Sequence, residues 1–442
     1  MLTVSRGAAL YVGALVGPGL LLVPGLATQV AGPASVLAWG ALIALSAPIA
    51  ATFARLGVRH PVPGGVTAYV EEAFGPTAAA VTGTWFVTAV VAGGPAVALI
   101  GGLYVADLAG GGRTTAVAVA LTLLLGVLAA NGAGLRLSSG LQLALSAVLV
   151  TTVTLAVAVS LPTGGPEGWT PFAPHGWWAV GTAANLLIWL IIGWEAMAQL
   201  AGEFAHPARD LPRAVVLAFV VIAVLYGGLG AATVVVTAGH GSTVPLADLM
   251  QAAFGTPGRR ATTVLAVVLT AGTMNVYTAS AARLAAALAS AGALPGWLAG
   301  DAARDVPRRP LVALAVSGPL LLAALGAGLV TPAEAVRATS ACFVAVYVLA
   351  LAAATRILDG AARAVAALAT VLTLVVAAFS AWYLLVPLAA AALAVGVARA
   401  SRGPASEAGA SEAGTSRDTA AHALHGDRAV PPGPGTGVRA GP

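Results

Sequence analysis

The chain has 442 residues, of which 59% are hydrophobic and only 8% charged, against about a quarter charged in a soluble domain. A water-soluble shell cannot be built from that, and the long apolar blocks, each enough as a helix to cross a hydrocarbon core of about 30 Å, exclude a string of globular domains. The net charge of +5 comes from arginines set singly or in pairs at span ends rather than gathered with aromatics, which argues against nucleic acid as a partner.

All 21 basic residues are arginine. Without lysine there is no P-loop and no Schiff base, which removes an ATP-driven pump within this chain and a retinal or pyridoxal cofactor. Cys342 is the one cysteine, so an intrachain disulfide and a cysteine metal site are excluded; it reads as a small apolar filler.

Taken in chain order, Arg6 ahead of Gly7 to Val23 could pass for a signal peptide, but the apolar stretch runs on to about Val30 without a clear small-residue cleavage site. It reads as the first span. Breaks at Gly, Pro and Arg clusters then predict twelve spans, at about residues 8–30, 34–56, 78–108, 114–131, 137–161 and 178–202 in the first half. The second half holds about 212–238, 260–290, 310–330, 333–355, 362–379 and 381–398. Only Ser380 and its neighbours separate the last two. The fold class is therefore an all-α polytopic membrane protein, with a transmembrane domain over residues 1–400.

Cytoplasmic loops near span ends accumulate arginine. An inside N-terminus leaves only Arg113, Arg259, Arg260 and Arg337 outside among the arginines ahead of the tail, so both termini are expected in the cytoplasm. From about Gly403 the composition turns to Gly, Pro, Ala and Ser with scattered charge and no apolar period, which predicts a disordered tail over 403–442. His422 and His425 lie in it and read as solvated side chains, not a metal site.

Two spans are interrupted. In the first, Gly17-Pro18-Gly19 sits at mid-membrane, where Pro18 lacks an amide hydrogen and the glycines remove the side-chain penalty for leaving helical geometry. In the sixth, Gly193 stands within an apolar run, with Glu195 two residues on. Interruptions at corresponding places in two halves point to a transporter built from inverted repeats, and the odd offset from the first span to the sixth makes the second copy inverted. The bland alternative is that glycine and proline merely permit close packing of membrane helices.

Glu195 is the one Asp or Glu that the predicted spans place well inside the membrane, where a carboxyl is costly and usually functional. It could take up and release a proton during a cycle, or serve as a structural acid bonded to opened backbone. Amides freed after Gly17 and Gly19, at the start of a half-helix, suit a substrate carboxylate. Carbonyls released around Gly193 suit an ammonium group. Together they describe a site for the zwitterionic end of an amino acid, and with no further intramembrane charge to pair with, a neutral apolar side chain is expected.

Four stretches resemble signatures of the amino acid, polyamine and organocation transporter superfamily. Gly13-Ala14-Leu15-Val16-Gly17-Pro18-Gly19 is similar to its glycine-broken opening helix. His60-Pro61-Val62-Pro63-Gly64-Gly65-Val66-Thr67-Ala68-Tyr69 resembles its cytoplasmic proline, double-glycine and tyrosine motif. Gly193-Trp194-Glu195 with His206-Pro207-Ala208-Arg209-Asp210-Leu211-Pro212-Arg213 looks like its glycine-aromatic-glutamate pattern and the Asn-Pro motif that follows. Ala289-Ser290-Ala291-Gly292-Ala293-Leu294-Pro295 is similar to the end of its eighth helix. Each is weak alone, but four in order over about residues 8–310 are specific, and the chain resembles in particular the bacterial exporters of methionine and branched-chain amino acids.

The resemblance implies a five-plus-five inverted-repeat bundle (8–161 and 178–355) with two further helices (362–398), working by alternating access in the inner, cytoplasmic membrane. It implies substrate contact at Gly17, Pro18, Gly19, Gly193, Trp194 and Tyr277, an aromatic gate at Trp189, and a proton-sensing or gate-stabilising role for Glu195. Ordinary packing or lipid contact is the alternative for Trp189 and Tyr277. Pro18 stands where a small hydroxyl residue is common, which removes one expected bond to substrate, and His206 stands where Asn is usual. The fifth span lacks a lysine that some relatives use in place of sodium. Thr270, Thr273 and Ser280 could help hold sodium, although helical hydroxyls more often bond back to their own backbone.

The reading is thus a secondary transporter of neutral apolar amino acids, with export favoured, no enzyme activity, no cofactor beyond a proton or sodium gradient, and the amino acid and the bilayer as partners. A homodimer through the closing helices stays open. The rivals are a proton- or sodium-coupled uptake permease, an amine permease, which would need another buried acid, and a non-transporting sensor, which would usually carry an appended folded domain. A membrane-embedded enzyme would need paired acids, a metal cluster or a nucleophile with its base at membrane depth.

Overall fold

In a bilayer core the backbone has no water to bond, so an apolar run must satisfy its amides and carbonyls internally as helix. The computed structural model describes residues 2–60, 65–135, 139–163, 165–195, 201–300 and 306–401, and these are almost wholly helical, with no strand among them beyond a single bridge between Leu2 and Phe204. The predicted tail with its two histidines, residues 61–64 of the double-glycine motif, and Arg136, Arg304 and Arg402 lie outside the described residues.

The first predicted span is two helices, α1 (Val4–Leu15) and α2 (Val23–Ala31), separated by a 3-10 turn at Pro18–Leu21. With 12 residues, α1 reaches about 18 Å, well short of crossing alone. After α3 (Ser35–Arg59), a short helix outside the predicted spans, α4 (Val66–Phe74), carries the motif tyrosine. Tyr69 is buried and donates to the His60 carbonyl at 2.9 Å. Burial, with Glu72 nearby, pushes its pKa up to about 12, so the hydroxyl keeps its proton for that bond. At Gly75, φ of 85° closes α4 in a conformation that favours glycine.

Then follow α5 (Pro76–Leu108), α6 (Arg113–Gly132) and α7 (Ser139–Ser160), within a few residues of the predicted third to fifth spans. The sixth begins as α8 (Trp178–Leu187) and a 3-10 turn at Ile188–Ile191, beyond which the helix is lost. Four more helices are α9 (Pro207–Val236), α10 (Pro245–Ser290), α11 (Arg308–Gly326) and α12 (Pro332–Ile357). Two boundaries move. α9 starts at 207, not 212, because Pro207 fits the first helical position and Asp210 the first turn. α10 starts at 245, not 260, because Gly255 at φ 64° bends the chain between a short limb and the predicted span instead of ending it.

The closing pair is indeed two helices, α13 (Gly360–Ala378) and α14 (Leu385–Ser401), joined through Ser380 and a 3-10 turn at Ala381–Leu384. Ten stretches among the described residues are long and apolar enough to cross a membrane, one of them running from α2 through α3. The two interrupted spans are the ones that no single long helix fills.

Packing centres on the broken spans. α1 lies on α9, α8 lies on α3, and α2 lies on α8, while α5 is gripped by α10 and α12 and α7 lies on α10. The main core holds Tyr11, Trp39, Trp194, Tyr226 and Tyr347. At the far end of the bundle, Arg259 of α10 forks onto Asp107 of α5, Nε to Oδ2 at 2.7 Å, and reaches Asp248 of the short limb at 3.2 Å. The Ser242 hydroxyl donates to the same Asp248 at 2.5 Å, and its carbonyl rests so close to Gly25 of α2 that no Cβ would fit there. The second half of the first span is thereby tied to a charged cluster.

Candidate functional site

The first break begins where α1 runs out. Val16 and Gly17 are extended, with φ −87° and −132°, and the 3-10 turn then opens on Pro18. The Leu20 amide returns to the Gly17 carbonyl at 3.1 Å. The first amides of any helical turn lack an internal partner, and those of Gly17 and Gly19 find no backbone partner among the described residues. Pro18 has no amide hydrogen, so the two glycines supply the donors. A Cβ on Gly17 would meet nothing within 4 Å, whereas one on Gly19 would stand 2.9 Å from Leu190 Cδ2. Gly17 thus borders open space and Gly19 borders the second break.

At the second break Ile192 turns extended and Gly193 adopts φ 134°, a region that L side chains rarely enter. A Cβ there would lie 2.9 Å from the Ala14 carbonyl oxygen at the end of α1. The Gly193 amide donates to Glu195 Oε2 at 2.8 Å, and the Tyr347 hydroxyl of α12 donates to the same oxygen. Glu195 also lines a cavity.

Three buried tyrosines serve the carbonyls that the breaks release. The Tyr226 hydroxyl of α9 lies 3.0 Å from the Leu15 carbonyl and 2.7 Å from that of Leu190, so one group bridges both breaks. The Tyr347 hydroxyl also stands 3.2 Å from the Ile191 carbonyl, and Tyr104 of α5 donates to Leu21 at 2.7 Å. Ring packing fixes two of them, Tyr226 edge-on to Trp39 and Tyr347 edge-on to Phe53, each with centroids 5.6 Å apart. None was singled out from the sequence. The signal was present, since a tyrosine inside an apolar span needs a partner for its polar tip, but nothing local names that partner.

The cavity between the breaks measures about 320 Å³, at the small end of the range for small-molecule sites. Of the residues expected at the site, Gly17, Pro18, Gly19, Trp189, Gly193, Glu195, Thr273 and Tyr277 all line it. Tyr277 is 44% exposed although it sits deep in the bundle, because its ring faces this space. Trp189 connects the wall to three separate packing clusters.

Trp194 and Thr270 do not line the cavity. Trp194 is fully buried and directs its indole N–H to Ser46 Oγ of α3 at 2.5 Å. The broken helix turns it away from the space where substrate contact was expected. Thr270 is buried beside Gly101 of α5. Neither its hydroxyl nor that of Thr273 bonds back to the helix, unlike Thr262 and Thr263 on the same element. Gln142 of α7 also lines the cavity, its Oε1 unpartnered among the described residues, and was not anticipated.

Two freed backbone segments and one acid line a common cavity, and comparison with known proteins decides the family. Residues 2–395 match the amino acid permease family. The chain belongs to that family. The permease is 34% identical over 399 residues to the uncharacterized amino acid permease YecA of Bacillus subtilis, which covers 88% of this chain and 92% of the relative. It is 30% identical over 393 residues to the L-methionine/branched-chain amino acid exporter YjeH of Escherichia coli, covering 86% and 92%. A branched-chain amino acid permease of Bacillus subtilis, BcaP, is 25% identical over 237 residues, about half of each chain. The permease is accordingly a multi-pass membrane transporter, and the resemblance seen in its motifs holds across nearly the whole described bundle.

Proposed function

We propose that this permease moves neutral apolar amino acids of the methionine and branched-chain type by alternating access, with export favoured. The observation that carries the reading is a small cavity that joins amides without backbone partners at Gly17 and Gly19 to Glu195 at the other break, with mostly apolar walls between. A substrate carboxylate sits on the glycine amides. The Leu190 carbonyl already accepts the Tyr226 hydroxyl, which leaves the carbonyls beyond it, Ile192 and Gly193 among them, to receive the ammonium group. Trp189 and Tyr277 close over the substrate. Glu195, held by the Gly193 amide and the Tyr347 hydroxyl, carries the proton or locks the gate. The likeness to YjeH, an L-methionine/branched-chain amino acid exporter, supports the substrate class and direction.

The same reading places both termini in the cytoplasm, the chain in the inner membrane, and the repeats at 8–161 and 178–355, with 403–442 as a tail dispensable for transport. The pairing of helices supports the repeats, because α1 on α9 and α8 on α3 exchange under a five-span shift, as do α7 on α10 and α12 on α5. Sodium-coupled uptake is the second reading, favoured by the unpartnered hydroxyls of Thr270 and Thr273. A homodimer through α13 and α14 is compatible with either.

The test is counterflow in proteoliposomes loaded with unlabelled leucine or methionine, with and without a pH gradient and with sodium or choline outside, beside Glu195→Gln. Exchange that speeds up with the pH gradient and loses that sensitivity in the variant is the expected result. Strict dependence on sodium favours the second reading. Folded protein that moves no amino acid at all would end both.

A further inference from the structure

The cavity extends well past the two breaks. Its walls include Leu124 and Leu128 of α6 and Leu314, Ser317 and Gly318 of α11, helices that pack on α5 and α10 rather than on the broken spans. Leu124, Leu128 and Val97 belong to a second core, centred on α5, α6, α10 and α11, distinct from the one around the breaks. One continuous space therefore touches both, polar where it meets freed backbone and Glu195, and apolar but for Ser317 where it meets α6 and α11.

The passage runs beside α5, at Gly93 and Gly94 ahead of Pro95. The two glycines differ. A Cβ on Gly93 would stand 2.9 Å from Thr339 Cγ2, so that residue is needed for close packing on α12. A Cβ on Gly94 would meet nothing within 4 Å, yet the residue lines the cavity. Any side chain added there enters the empty space. Leu124 Cδ2 lies 2.7 Å from the place of a Cβ on Gly318, so α6 packs closely on α11 along this wall of the arm.

We propose that this arm is the side-chain subsite of the permease, receiving the apolar side chain of an amino acid whose charged head lies at the breaks, with Gly94 setting the length it admits and Leu128 part of its wall. This rests on the amino acid reading above and gives it a size rule. Glycine at 94 leaves room for leucine and methionine. A lipid acyl chain is the rival occupant, and it would make the arm indifferent to the transported side chain.

Counterflow of alanine, leucine, methionine and phenylalanine in proteoliposomes separates the cases. One methylene in an apolar pocket discriminates by about tenfold or more, so Gly94→Leu should lower leucine and methionine exchange at least about tenfold while alanine exchange stays within about twofold. Leu128→Ala, which enlarges the arm, should raise phenylalanine exchange relative to leucine, and that ratio decides the matter alone if Gly94→Leu does not fold. A parallel fall of all substrates, or unchanged leucine and methionine in folded Gly94→Leu, would overturn the proposal. Wild-type protein that exchanges none of the four instead ends the amino acid reading, so the two failures are told apart.

Discussion

At Gly17 the chain runs through extended backbone that any residue adopts, with open cavity where a Cβ would stand; at Gly193 φ is 134° and a Cβ would press on the Ala14 carbonyl oxygen at 2.9 Å. The first break owes its glycine to access, the second to conformation and close approach. Their surroundings differ in the same sense. Amides at Gly17 and Gly19 are left without backbone partners, while at the second break the Gly193 amide and the Leu190 and Ile191 carbonyls are all engaged by Glu195, Tyr226 and Tyr347. The glycine amides of one interruption are left open toward the cavity, and the glycine amide of the other is held by the protein itself.

The sharpest way to break this comparison is to place alanine at each position. Gly193→Ala forces a side chain into left-handed backbone, a strain of about 1–3 kcal/mol, and adds a contact shorter than Cβ atoms tolerate against a carbonyl. Thermal melting in detergent should fall clearly and transport should be lost. Gly17→Ala should melt like the wild type, since nothing stands within 4 Å, and should instead raise KM by placing a methyl in the cavity. Equal melting of both variants would show that the second break relaxes freely and that its glycine is not conformational.

A smaller effect is expected from Tyr226→Phe. It keeps the ring against Trp39 and removes the hydroxyl that bridges the Leu15 and Leu190 carbonyls. A buried acceptor left without its donor costs about 1–3 kcal/mol. The melting temperature should drop, and transport should slow without a change in which amino acids are accepted. Wild-type melting in this variant would mean that water reaches both carbonyls, and the second break would then be as open as the first.

The positions of both breaks were legible because glycine and proline interrupt otherwise unbroken apolar runs, and Glu195 was legible because a lone acid at membrane depth has few reasons to be there. The partners were not. Tyr226 acts on Leu15 from 211 residues away and Tyr347 on Gly193 from 154, and no periodicity carries that information. The bend in α10 was half legible. Gly255-Thr256-Pro257-Gly258 announces a break, but the limb before it carries Asp248 and Gln251 and is too short to read as a span. Trp194, expected at the substrate from the family resemblance, instead bonds Ser46 in this structure, and since the 3.6-residue period that assigns faces stops where the helix is lost, side-chain direction beyond Ile192 cannot be extrapolated from α8.

Trp194→Phe supplies the smallest expected effect and the finest test of where the second break faces. Its indole donates one hydrogen bond, to Ser46 Oγ, and the ring is fully buried in the main core. Phenylalanine retains most of that apolar contact. The lost bond is worth about 1 kcal/mol net, and the Ser46 hydroxyl can turn back to a carbonyl of its own helix. Melting should shift slightly, with KM for leucine unchanged. A large rise in KM at unchanged melting would instead put the indole on the substrate path, which requires the segment after Gly193 to rotate during the cycle. In the structure described here adjacent side chains at the break serve different helices, Trp194 reaching α3 and Glu195 reaching α12, so such a rotation would have to break both attachments at once.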